Sequence, residues 1–138
     1  MATFNKFNQT VEDFADGVYT SSTDQFTVFL TTSANTPVAT NSVLADLTEI
    51  AYTNLSSRNL TTVTSSQTSG TFTQLYADLA LSASGGDAAT FRNVGIFNNT
   101  PTSPADPLTG WYDYGSDLTL LDGQTLTLDF TTSTFTIT

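Results

Sequence analysis

The residues of this chain that could do chemistry are carboxylates, hydroxyls and one cluster of aromatic rings. Histidine is missing, and with it the commonest general base and transition-metal ligand. Cysteine is missing too, which excludes disulfides, thiolate ligands and cysteine nucleophiles. A serine or threonine nucleophile needs a base beside it. Only carboxylates and Lys6 are on offer, and Lys6 lies in a first segment that reads as flexible. Paired carboxylates could cleave a glycosidic bond. The candidate pairs are Asp113 with Asp117 and Asp122 with Asp129, and all four flank turns, where acidic residues ordinarily act as solvated turn formers. The sequence therefore assigns no catalytic residue.

Binding chemistry is equally sparse. Hard cations take oxygen ligands, but no Asp-x-Asp-x-Asp-Gly run occurs, and Asp113-Tyr-Gly-Ser-Asp117 is the nearest approach to one. No metal ligand and no cofactor are assigned. Gly85-Gly86 is a turn rather than a phosphate loop. Trp111, Tyr112 and Tyr114 could stack sugars or bases. On a strand, however, Trp111 and Asp113 point one way while Tyr112 and Tyr114 point the other. The expectation is core packing on one face and an interface on the other. Phe4 and Lys6 join these three aromatic residues as interface candidates.

These residues must be positioned by a mainly β framework. Threonine dominates the composition and favours strands over helix interiors. The spacing of Phe4, Phe7, Val11, Phe14 and Val18 predicts one short amphipathic helix at about 8–16, with those residues on one face. Glu12, Asp13 and Asp16 fall off that stripe. Asn8 is placed to cap the helix and Gly17 to end it. Period-2 alternation then marks strands at Phe26 to Thr31, Leu60 to Thr64, Thr71 to Ala83 and Phe91 to Phe97. Further strands follow at Gly110 to Tyr114, around Leu126 to Phe130, and at Phe135 to Ile137. Ala77, Leu79, Leu81 and Ala83 share one face of a single long strand. Asp122-Gly123 carries a two-residue hairpin signal. Pro37 to Tyr52 reads as a loop, with a helical turn after Asn41 as the alternative. The sum is one antiparallel β-sandwich or barrel-like sheet over residues 1–138, with residues 1–6 as an N-terminal arm.

Charge narrows the partners. Lys6, Arg58 and Arg92 face thirteen carboxylates, for a net charge of −10. Such a surface is repelled by nucleic acid and by an anionic membrane. Met1 to Phe14 has no apolar core of the signal-peptide kind, and no stretch approaches the ~20 apolar residues of a membrane span. Asn8-Gln9-Thr10 and Asn59-Leu60-Thr61 fit the glycosylation pattern, as chance allows in a Thr-rich chain.

Three blocks carry a family resemblance. The first is Phe4-Asn-Lys-Phe7 with Val11-Glu12-Asp13-Phe14-Ala15 and Gly17-Val18. The second joins Phe26, Val28 and Leu30-Thr31 to Pro37-Val38-Ala39-Thr40-Asn41 and Val43 through Ile50. The third runs from Phe91-Arg92 through Pro107-Leu108 and Gly110 through Ser116 to Asp122 through Leu126 and Leu128-Asp129-Phe130. In this order the blocks resemble a family of tailed-phage virion structural proteins. The chain departs from that pattern after Ala51, at Tyr52 to Arg58. The resemblance implies a particle component and carries over no catalytic residue. Size and acidity suit a head decoration (cement) protein on the capsid surface, assembled in the bacterial host cytoplasm. Its expected partners are the major capsid protein and further copies of itself, as a dimer or trimer. The alternatives are a tail, neck, adaptor or fibre component and, from another class, a carbohydrate-binding module using Trp111 to Tyr114.

Overall fold

A computed structural model describes residues 2–130 and 135–137. The fold is mainly β and antiparallel, with one short α-helix, as the patterning predicts. The strands are β1 (Phe4–Lys6), β2 (Phe26–Thr31), β3 (Thr62–Thr68), β4 (Thr71–Tyr76) and β5 (Leu79–Ser82), then β6 (Phe91–Asn98), β7 (Leu108–Leu118), β8 (Thr125–Leu128) and β9 (Phe135–Ile137). Helix α1 spans Gln9–Ala15. A four-stranded sheet runs β1-β7-β6-β2, a three-stranded sheet β3-β4-β9, and a two-stranded sheet β5-β8.

The four-stranded sheet is covered on both faces, which is why every residue of β2 is buried. One face carries Phe26, Val28, Leu30, Val94 and Ile96 and meets Tyr76 and Leu81 from the two smaller sheets and Phe130 from just after β8. This is the main core, and it gives the fold its sandwich-like character. The other face holds Phe29, Phe97, Leu108 and Trp111, with Phe7 and the loop residues Ala39, Leu44 and Leu47 packed over them. Pairing slips between Phe91 and Asn93 and again between Ile96 and Phe97. A slip exchanges faces, so Phe91 and Val94 reach one core, and Leu108 and Trp111 the other, despite their odd spacings.

Several expectations are corrected. Phe4–Lys6 is no free arm: it pairs with Gly110–Tyr112, because those residues offer a strand edge beside it. Met1, the start of the expected arm, lies outside the described residues. The helix is where the spacing puts it, but its buried side carries Thr10 and Asp13, while Val11 is 50% exposed. The stripe misleads because Phe4, in β1, and Phe7, in the link after it, precede the helix. Asn8 has helical dihedrals and makes no side-chain cap, so it does not cap α1. Gly17 does end the helix. At φ 75° it lets Val18 N–H reach the Asp13 carbonyl at 2.9 Å and Gly17 N–H reach Phe14 at 3.4 Å, the Schellman arrangement.

The expected long strand from Thr71 breaks at Ala77-Asp78, where the chain passes from the β3-β4-β9 sheet to the β5-β8 sheet. Asp78 anchors the break by accepting a hydrogen bond from Phe130 N–H at 2.8 Å. Asp122-Gly123 is a turn but not a hairpin, since β7 pairs with β6 and β8 with β5. Only Gly123 has positive φ there. A type I′ hairpin needs it at both central residues, so the flanking strands part. Between Pro37 and Tyr52 the chain is irregular apart from one 3-10 turn at Leu44–Asp46. Asp46 holds that turn by accepting from Ser42 N–H and Val43 N–H at 2.8 and 3.2 Å, and these bonds lower its pKa.

Candidate functional site

The five interface candidates part company in space. Trp111 is only 9% exposed, with its ring 4.6 Å from that of Phe7 in the smaller core. It is a core residue rather than an interface residue, because alternation on β7 turns it toward the face roofed by Leu44 and Leu47. Tyr112 points to the opposite face and packs against the main core, where burial pushes its pKa up to about 12. Tyr114 is 53% exposed. Phe4 is half-buried, 5.2 Å from Tyr112 and stacked on Phe135 at 6.0 Å. Lys6 is exposed at the end of β1.

Lys6 borders a shallow groove of about 230 Å³ with Thr10, Val11, Phe14, Phe135 and Ile137. The groove lies between α1 and β9, beside Phe4. Thus Phe4 and Lys6 come together, while Trp111 and Tyr114 lie elsewhere. Two hydroxyls, one on α1 and one just beyond it, pin this part of the chain beside the groove. Thr10 Oγ1 donates to the Leu108 carbonyl at 2.8 Å, and Tyr19 Oη reaches the same carbonyl at 3.0 Å. That carbonyl sits at a pairing slip of β7, where side chains replace the missing ladder partner.

Two of the four candidate carboxylates, Asp113 and Asp122, hold structure. Asp113 accepts from Arg92 Nε at 2.8 Å and Nη2 at 3.1 Å, and from Gly115 N–H at 2.8 Å. The Arg92 guanidinium, helped by that amide, keeps its pKa low. A general acid needs the opposite shift. Asp122 accepts from Gly85 N–H at 3.0 Å and donates its own N–H to Asp87 at 2.9 Å, tying two turns together. Among the described residues no three carboxylates gather as a metal site would require.

Sequence reasoning missed two features. Asp13 is 4% exposed, and burial raises its pKa against the opposing hydrogen bond from Gln9. Its Oδ2 has no hydrogen-bond partner among the described residues. Arg58 lies 3.5 Å above the Tyr52 ring and 3.7 Å from Glu49. It also donates to the Val28 carbonyl. The grouping of Glu49, Tyr52 and Arg58 within ten residues was its only signal.

No family model, no curated protein and no solved structure matches this chain. No helix among the described residues is long and apolar enough to cross a membrane.

Proposed function

We propose that this chain is a structural component of a tailed-bacteriophage particle: a decoration protein on the outside of the head that bridges neighbouring major capsid protein subunits. The observation that carries this reading is how the charge is placed. Two of the three cations, Arg58 and Arg92, are held by the chain's own Glu49 and Asp113. What remains for solvent is a strongly acidic surface on a chain of net charge −10. Packed DNA repels such a surface, while the outside of a shell does not. The resemblance of the three sequence blocks to phage particle proteins supports the same reading.

A decoration protein stabilises a shell only as far as it binds the assembled state better than free subunits. Repeated weak contacts on a symmetric lattice become tight through multivalency. The test is to add the purified chain to expanded heads made without it and follow particle survival on heating. Saturable binding at symmetric stoichiometry, with improved survival, is the expected result. Copurification at a few copies with tails or necks, and none with heads, overturns the head assignment. Glycan binding through Trp111, the other class of function, has no support in the packing, since that ring is covered.

A further inference from the structure

A strand at the edge of a sheet exposes a row of unpaired N–H and C=O groups, and proteins usually cover or charge such edges. Among the described residues six strands end a sheet, and most are managed in one of these ways. The outer edge of β2 is roofed by residues 50–60. Ile50 N–H donates to the Leu30 carbonyl at 3.0 Å, Val28 N–H to Arg58 at 2.9 Å and Leu60 N–H to Phe26 at 2.9 Å. On β5, Ser56 N–H donates to the Ser82 carbonyl at 2.9 Å, and Ser82 N–H to Ser56 Oγ at 2.9 Å. β1 is three residues long and carries Lys6. β8 has four residues and runs straight into Asp129. β9 has three described residues.

Strand β3 is the exception. It has seven residues, the most of any edge strand described, and none of them is charged or proline. Thr64–Thr68 stand in unbroken register with Thr71–Leu75 on one side. On the other side no backbone partner is found among the described residues. Ser66, Gln67 and Thr68 are exposed, and Val63 is 59% exposed. A tight turn with Ser69 at φ 52° and Gly70 at φ 82° fixes the hairpin, and these paired positive angles match the twist of the strands. The whole stretch from Asn59 to Ala77 carries no charge, in a chain with thirteen carboxylates.

We infer that the outer edge of β3 pairs with the same edge of a second copy, antiparallel across a two-fold axis. Two three-stranded sheets then become one continuous sheet. The occupant follows from charge. Two copies of so acidic a chain repel each other, and they approach most easily where neither carries a carboxylate. A basic partner would be drawn to the acidic surface and gains nothing at a neutral edge. Antiparallel strands of identical sequence are self-complementary about a two-fold axis, and their backbones supply the hydrogen bonds. The contact is small, so the dimer is weak in dilute solution. This surface does not depend on where the chain functions.

The absence of native cysteine makes the test clean. Sedimentation velocity over a concentration series, with added salt to screen the net charge, reads self-association. Single variants from Thr64→Cys to Thr68→Cys, oxidised at high concentration, read the register, because one position of a two-fold pairing faces itself. A concentration-dependent dimer is expected, with disulfide capture at one or two of these positions. Ser66→Lys abolishes the dimer, whereas Thr136→Lys, an equal charge change at the exposed position of β9, leaves it intact. A chain that stays monomeric throughout overturns the inference. So does a dimer that survives Ser66→Lys and is captured at no β3 position. Far-UV dichroism of each variant confirms that the fold is retained.

Discussion

The ring of Phe29 fills the space above Gly95 where a side chain would otherwise stand. The two residues are directly opposite in the β2–β6 ladder. A Cβ added at Gly95 would lie 1.9 Å from Phe29 Cζ. Glycine here answers to the close approach of a ring, and the gap it leaves is what lets the smaller core close over β2 and β6.

Gly95→Ala therefore forces the Phe29 ring out of place. Overpacking of this kind costs about 1–3 kcal/mol, and the rigid setting of a fully buried phenylalanine argues for the upper end. Urea unfolding of the variant should show a lower midpoint at an unchanged slope. A midpoint equal to the parent would mean that the ring has room to move.

Trp111 is the only tryptophan, so its fluorescence reports the smaller core directly. Native emission should be blue-shifted and should move red on unfolding. Trp111→Ala should cost about 3–5 kcal/mol, as for large aromatic truncations in cores. Retention of full stability would return Trp111 to the surface and reopen the sugar-stacking idea.

Arg58 ties residues 49–58 to the outer edge of β2. Its guanidinium rests on Tyr52, whose hydroxyl accepts from Leu30 N–H at 3.0 Å. Arg58→Ala should destabilise by about 2 kcal/mol, summing a partly desolvated cation–π contact with a lost hydrogen bond to a buried carbonyl. Arg58→Lys should recover only part of this, lacking the planar fork. Thermal melts of both variants check the order.

Asp13 should make the chain more stable in acid than its other carboxylates would. Burial raises its folded pKa, and the nearby Glu12 and Asp16 push the same way. A raised folded pKa means a contribution fully present below the ordinary carboxylate range and lost as pH rises through the raised value. Asp46 and Asp113, with lowered pKa values, act oppositely: their contribution is present above that range and lost as pH falls. Asp13→Asn should then gain about 1 kcal/mol at neutral pH, and the gain should shrink toward pH ~4. Denaturant midpoints at the two pH values measure it, and a gain independent of pH would point away from Asp13 ionisation.

What the sequence could and could not reveal follows from range. Alternation along β2 and β6 is a local signal, and it placed both strands and the faces of Val28, Leu30, Val94 and Ile96. Gly17 ended α1 as a local C-cap glycine should. The errors arose where the partner is distant. Val11 shares its spacing with Phe7 and Phe14, but only the sheet beneath decides which side of α1 is covered. Asp122-Gly123 has hairpin residues, yet turn type depends on where β8 finds β5. Trp111 looked available because its cover, Leu44 and Leu47, comes from a loop with no periodic pattern. The neutral run around β3 was visible, but its meaning required knowing which edges are roofed.

The pairing of Phe4 with Tyr112 also sets a timetable. Loop closure over so many residues is entropically slow, and folds dominated by such contacts form in milliseconds to seconds rather than microseconds. On the ribosome, β1 emerges before β7 and must wait for it to be synthesised. The β3–β4 hairpin, closed by two residues, can form long before. β1 therefore docks long after it is made, and Phe4 stays uncovered until Tyr112 has been synthesised.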